Sequence, residues 1–250
     1  MLRPEPEYFR TRAACMSRIR ELLKKYSGTA LIGFDFPFGY PFNCGIGGGL
    51  TAAQKMSSIL YSDLRDANNR FEAAAILNKK ISPHKGPFWG CPTAFKSEQL
   101  SITKPPFQHQ TFQEWRIVER YLKEKKFRIM NVWQLMGRGS VGSQTLTGLK
   151  ALHDLHLDAN LKRSLKFWPF NTKWNHDLDG IILTEVWPSL NDLAAYSHPV
   201  KDARQVLACR DWILDHDAKG TLRNLFNAPK WLSVEDRQKC EQEEGWILGV

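Results

Sequence analysis

The chain has 250 residues, 42% of them hydrophobic and 24% charged, enough for one substantial core or two modest ones, and a single domain is the simpler organisation. Its 35 Lys and Arg against 26 Asp and Glu leave a formal charge of +9, which admits a polyanionic partner through counterion release. The 5 cysteines, Cys15, Cys44, Cys91, Cys209 and Cys240, are odd in number, widely spaced and without a C-x-x-C pair, which argues against a disulfide framework or a thiolate zinc site and for a reducing interior.

Met1 to Glu7 lack the apolar core of a secretion signal, and no stretch reaches the ~18 apolar residues of a membrane span. A soluble, cytoplasmic protein with no membrane partner is expected. The basic excess is spread through Arg18 to Lys25, Lys123 to Arg128, Lys162, Arg163 and Lys166, and Arg204 to Lys230, with no basic tail.

Taken in order, residues 11–26 place Cys15, Ile19, Leu22 and Tyr26 on one helical face, with Leu23 adjacent and Ser27-Gly28 as the stop. Ala30 to Phe34 is a short apolar run between turn residues, predicted as a strand covered on both faces and central to its sheet. Residues 42–50 are glycine-rich and read as a flexible loop. Helical patterning resumes over about 51–78. Residues 79–110 hold Pro83, Pro87, Pro92, Pro105 and Pro106 among aromatics, an irregular covering insertion of the kind that lies over a site.

A helix at about 111–125 leads to a predicted strand at 129–135, a glycine loop at 137–143 and a helix striped by Leu146, Leu149, Leu152 and His156. Strands at 165–170 and 180–186, a long helix at about 200–217 and a charged helical tail complete the chain. Alternating strands and long helices predict an α/β fold, a mixed central sheet flanked by helices.

Three acids stand where chemistry is commonly carried. Asp35 closes the first strand against the turn Phe36 to Pro41, Glu185 ends the strand run Gly180 to Thr184, and Asp202 begins the long helix. Together they supply the oxygen ligands that Mg²⁺ or Mn²⁺ prefers for activating water at a phosphoryl group. Alternatives stay open for two of them. Glu185 shares a strand face with Ile181 and Leu183, so an ion pair with an Arg would also satisfy it. Asp202 shares a stripe with Val206, Cys209 and Ile213, but with Gln205 it also fits a capping box. Asp63, Asp66 and Glu72 are auxiliary acids better explained by a solvated face.

Gly137-x-Gly139-x-x-Gly142 lies between a predicted strand and a helix, where backbone amides can hold a phosphate, so Arg138, Gly139, Ser140, Gly142 and Ser143 are candidate phosphate-binding residues. The acid that would grip a ribose after the next strand is missing, which counts against a nicotinamide site, and a tight structural turn explains the glycines equally well. His153 and His156 lack a patterned third ligand, Cys91 lacks a His partner, and neither Ser140 nor Ser143 sits in a nucleophile elbow. The 9 tryptophans fill a core or stack bases.

The segments Gly33 to Pro41, Glu185 to Leu190 and Lys201 to Val206 resemble those of a bacterial family related to predicted RNase H-like nucleases of unknown function. Ala67 to Glu72, Gly86 to Pro92, Gly139 to Gly148 and Glu244 to Val250 extend the resemblance over most of the chain. It implies an RNase H-like fold in which Asp35, Glu185 and Asp202 bind Mg²⁺ or Mn²⁺ for phosphodiester hydrolysis on nucleic acid. It also implies an initial strand bearing an early Asp, whereas this chain opens on Pro4-Glu5-Pro6-Glu7 and enters its first helix directly, so the fold is expected without the N-terminal strands and activity is contingent on that acid. Other readings are a non-catalytic nucleic-acid-binding protein of the same fold, and a nucleotide or cofactor-biosynthesis protein of the cobalamin or molybdopterin kind. Oligomeric state is left open.

Overall fold

The computed structural model describes residues 4–25 and 28–250; the amino-terminal reading at Met1 to Arg3 and the Tyr26 to Ser27 end of the first helix lie outside them. Three strands, β1 (Ala30–Phe34), β2 (Leu165–Phe167) and β3 (Ile181–Glu185), form one sheet in the order β1-β3-β2. Both pairings are parallel, with Ala30 opposite Ile181, Phe34 opposite Glu185 and Phe167 opposite Leu183. A mixed sheet was expected; the three strands here are wholly parallel.

The central position belongs to β3, all five residues of which are buried, whereas β1 is half-buried with Gly33 exposed. That corrects the expectation of a central first strand. Length and apolar content are alike in the two runs, so only the packing tells them apart. The ladder to β3 begins with Ala30 N–H donating to Gly180 and ends with Val186 N–H donating to Phe34. In a parallel ladder the intervening residues point the other way, so the amides and carbonyls of Leu31 and Gly33 face the outer edge, where no strand pairs among the described residues.

Period-two alternation divides the core. Ile32, Phe167, Ile181 and Leu183 pack with helices α1 (Arg12–Lys25), α2 (Gly49–Ile59), α3 (Arg70–Ile81) and α5 (Gly142–His156) on one face. Leu31, Ile182 and Val186 meet α4 (Ile117–Glu124) and the segment Trp246 to Leu248 on the other. Helix α6 (Lys201–Ala218) adds the part-buried Trp212 to that side, and α7 (Val234–Lys239) precedes a single π-turn over Cys240–Glu244. Among the described residues no helix is long and apolar enough to cross a membrane.

Three local expectations change. Residues 129–135 make no ladder strand: Trp89 N–H donates to the Trp133 carbonyl and Leu135 N–H to the Trp89 carbonyl, a single rung. Val132, Trp133, Gln134 and Leu135 are all buried, and Trp133 sits within an aromatic cluster with Tyr40, Phe88 and Phe112. Aromatic packing replaced pairing. The loop at 42–50 is held rather than flexible, because a Cβ at Gly39 would lie 2.0 Å from the Glu243 carbonyl oxygen, and one at Gly48 would lie 2.2 Å from the same atom. These glycines permit close backbone approach.

The proline-rich insertion at 79–110 sends part of its apolar side chains into the core and lines none of the cleft described below. Phe88, Cys91 and Leu100 are fully buried. Asn78, itself buried in the last turns of α3, anchors it: Nδ2 donates to the Phe88 carbonyl at 2.9 Å and to that of Gln99 at 2.8 Å, and Oδ1 accepts from Phe88 N–H at 2.8 Å. Asn78→Ala leaves the buried N–H and carbonyl of Phe88 without their partner and removes one of two donors from the Gln99 carbonyl, which Gly86 N–H also reaches. It is expected to lower stability by about 3 kcal/mol or more, read as a reduced urea midpoint together with faster amide exchange over residues 86–101; an unchanged midpoint would show that the insertion is held otherwise.

Candidate functional site

Because β1 and β3 run parallel in register, their ends bring Asp35 and Glu185 to the same rim of the sheet. A cleft of about 170 Å³ opens there, lined by Asp35, Glu185, Arg116, Arg128, Gly139 and Trp187 among others. Asp202, in the first turn of α6, is near enough for its charge to act on Asp35. Three acids separated by up to 167 positions in the chain (202 − 35) therefore share one electrostatic neighbourhood.

Their environments differ sharply. Glu185 is 3% exposed and both its oxygens are held by a fork from Arg116, with Nη2 to Oε1 at 2.7 Å and Nη1 to Oε2 at 2.8 Å. The ion-pair alternative for Glu185 is the one the structure contains. Arg116, 1% exposed, also donates from Nε to Glu119 Oε1 at 2.9 Å and from Nη1 to the Glu244 carbonyl at 3.0 Å. Burial works against its charge, yet the Glu185 and Glu119 carboxylates outweigh that and hold its pKa above the ordinary value.

Local chain geometry builds this cluster. Arg116 is the residue that opens α4, and Glu119, three positions on, reaches back to the Arg116 N–H at 3.0 Å, as the acidic half of a capping box does. Glu244 closes the other side, accepting from Ile117 N–H at 2.6 Å and Phe42 N–H at 2.8 Å. Leu248 N–H donates to the Glu185 carbonyl, so the last residues of the chain run beside the end of β3. Neither Arg116 nor Glu119 nor Glu244 is a candidate in the sequence. The Arg–Glu spacing at the start of a helix is a faint signal among 35 basic residues.

Asp35 is the opposite case, an exposed residue whose carboxyl is nonetheless crowded. Burial first, then the charges of Glu185 and Asp202, push its pKa from 3.8 to about 6. Water reaches the residue and screens part of this crowding. Asp202 is also exposed. It does not cap its helix: Val200 occupies that position without a side-chain bond. The stripe drawn through Val206 is not a buried one either, since Val206 is 55% exposed and Ala208 is the buried residue of α6.

Among the described residues no group of three or more His, Cys, Asp and Glu side chains is arranged to hold a metal. The donor set explains this in part, because the guanidinium on Glu185 both occupies its oxygens and repels a cation. Asp35 and Asp202 remain, of which Asp35 lines the cleft and Asp202 stands outside its lining. Asp63 instead closes its own turn on Arg65 and Ala67 N–H, Asp66 accepts from Arg12 N–H at 2.6 Å, and Glu72 is an exposed first-turn acid of α3.

The glycine loop meets the cleft at Gly139 and Val141. Several of its donors are already engaged: Ser140 N–H with Gly137, Gly142 N–H with Gln134 and Ser143 Oγ with the Leu135 carbonyl at 2.6 Å. Gly142 cannot carry a side chain, as a Cβ would lie 2.6 Å from the Gln134 carbonyl oxygen. The loop is thus a tight turn against 132–135, with Gly139 and the exposed Arg138 on its outer side. Arg128, not singled out in the sequence, is the exposed cation lining the cleft. Cys91 is a buried thiol whose pKa burial raises, and His156 is held below its usual value by burial, then by Lys162 and His153.

An α/β protein with a three-stranded parallel sheet and an acid–arginine cleft at one rim of that sheet is what fold and geometry define. Comparison with family models, curated proteins and solved structures gave no match to this chain.

Two substitutions separate the acids. Because the folded-state pKa of Asp35 is raised, the stability linked to its neutral form is whole below 3.8 and is lost as pH rises through about 6. Asp35→Asn should therefore raise the melting temperature at pH 7.5, by an amount worth about 1 kcal/mol after solvent screening, with the gain vanishing near pH 4; a gain that persists at pH 4 would locate its cause elsewhere. Arg116→Ala leaves Glu185 and Glu119 buried without their counter-charge and is expected to cost about 3–5 kcal/mol in denaturant unfolding. A loss under about 1 kcal/mol would mean that the cluster is not fully desolvated.

Proposed function

We propose that the chain is an RNase H-like protein whose cleft binds a phosphate-bearing substrate, with nucleic acid as the class its charge favours, and hydrolyses a phosphodiester with the aid of Mg²⁺ or Mn²⁺ held by Asp35 and Asp202. The observation that carries this reading is geometric: the parallel register of β1 and β3 brings Asp35 and Glu185 to one rim of the sheet, at a cleft that Arg128 also lines, with the charge of Asp202 near enough to act on Asp35. Mutual repulsion among carboxylates is relieved by a cation, and a raised carboxyl pKa in a cleft is a recognised mark of sites.

The residues divide the work. Asp35, at the rim where β1 meets the cleft, and Asp202 would be the carboxylates that hold the ion. Arg128 and the outer side of the loop at Gly139 offer positive charge and a backbone donor to a phosphate. Glu185 is a positioning residue in this reading: gripped by Arg116, it fixes the end of β3 beside Asp35. A bound divalent ion supplies charge neutralisation and acidifies its water.

Mg²⁺-dependent cleavage of a nucleic-acid substrate tests the assignment. Asp35→Asn and Asp202→Asn should each lower cleavage by about 100-fold or more while circular dichroism and melting remain those of a folded protein; undiminished turnover in either variant would refute its role. A second reading draws on the neutralised Glu185, which leaves two free acids rather than three: a protein of this fold that binds nucleic acid without cutting it. Metal-independent binding with no cleavage would select that reading. Stabilisation by a nucleotide alone, with no effect of nucleic acid, would favour the cofactor-biosynthesis reading instead.

A further inference from the structure

The basic stretch at the end of α4 has no part in the cleft chemistry except through its last residue. Between Arg120 and Arg128 there are five cations, Arg120, Lys123, Lys125, Lys126 and Arg128, against one acid, Glu124. All six are exposed, and none of the cations makes an ion pair among the described residues. Two of them lie over aromatic rings instead: Lys123 Nζ is 3.7 Å from the Trp115 ring centre and Lys125 Nζ is 5.5 Å from that of Tyr121.

Exposed aromatic faces alternate with these charges. Phe127 is 43% exposed and makes an edge contact with the part-buried Trp187, centroids 5.6 Å apart. Trp187 and Arg128 both line the cleft that holds Asp35. At the other end, Tyr121 stacks on Trp231, which is 51% exposed, at 4.3 Å and 18°. A strip of rings and cations thus leads from Trp231 along the end of α4 to the cleft mouth.

The backbone at the helix end holds this display in place. Phe127 N–H donates to the Leu122 carbonyl and Lys126 N–H to that of Lys123, the bonding pattern of a Schellman stop. Its left-handed position, normally glycine, is filled by Lys126 at φ 65°. A lysine there accepts backbone strain that glycine would avoid, and in exchange keeps a cation beside an exposed phenylalanine.

We infer that this strip is a binding track for single-stranded nucleic acid, which feeds the strand past Phe127 and Trp187 into the cleft. The inference rests on the phosphodiesterase reading of the cleft and names its substrate class. Duplex bases are stacked within the helix and closed to such rings, whereas unpaired bases stack on Phe127 and Trp187 and their phosphates meet Lys125, Lys126 and Arg128. An acidic peptide would use the cations but leave the rings without partners.

The test is fluorescence anisotropy in EDTA, with the Asp35→Asn protein and a labelled single strand of roughly 12 nucleotides. Engagement of about three phosphates, one for each of these cations, predicts a slope of about −2 in log affinity against log salt, or a loss of roughly 20-fold between 50 and 200 mM. Phe127→Ala should weaken binding by about 10-fold. Lys126→Gly should weaken it by about 5-fold at 0.1 M salt while raising the unfolding midpoint, a combination that a purely structural lysine would not give. A duplex of equal length should bind at least 10-fold more weakly, and polyglutamate should not displace the strand.

Equal or tighter duplex binding, full competition by polyglutamate, or unaltered affinity in Phe127→Ala would overturn the track. Binding that behaves as expected, with no Mg²⁺-dependent cleavage by the unsubstituted protein, would sink the catalytic reading alone. Cleavage of duplex without single-strand binding would sink the track alone.

Discussion

One buried guanidinium organises the cleft end of the sheet. Arg116 stands at the start of α4 and holds the end of β3 through Glu185, its own helix through Glu119, and the carboxyl-terminal segment through the Glu244 carbonyl. Such a cluster need not be more stable than a well-packed apolar one of equal size, because removing three charges from water is expensive. Its contribution is geometric. With both Glu185 oxygens engaged, the end of β3 has a fixed place relative to α4, and the acids left for solution chemistry are Asp35 and Asp202.

The same arrangement separates acids that look equivalent as residue types. Glu185 is buried and matched, while Asp35 is exposed and crowded by charge of its own sign. A carboxylate of the first kind is an anchor, and one of the second kind is held closer to its neutral form. What sorts them is a position difference of one residue at the sheet rim: Glu185 lies opposite Phe34 within the ladder, and Asp35 lies just beyond it.

Much of the framework was legible. The helices at the start, after the glycine loop and at Lys201–Ala218 follow from apolar periodicity, and β2 and β3 from short apolar runs. Less visible were features set by contacts between distant segments. Ala30–Phe34 and Ile181–Glu185 have the same length and similar content, so their exchange of central and edge places is decided by what packs on them. Residues 129–135 have strand-forming content, but the aromatic cluster around Trp133 claims them. Gly39 and Gly48 serve the carbonyl of Glu243, some 200 positions away. The three acids are candidates by their places at strand ends and a helix start, whereas Arg116 is marked only by the faint Arg–Glu spacing at the start of α4.

The outward amide and carbonyl groups of Leu31 and Gly33 give the sheet an unfinished rim. Proteins commonly defend such rims with a proline, a bulge or a charged side chain. The strand Ala30–Phe34 has none of these within it, and at Gly33 not even a side chain stands over the backbone. Among the described residues no hydrogen bond reaches those groups. Pairing along this line would be written in main-chain spacing and would be indifferent to side-chain identity, a few residues from the charged rim at Asp35.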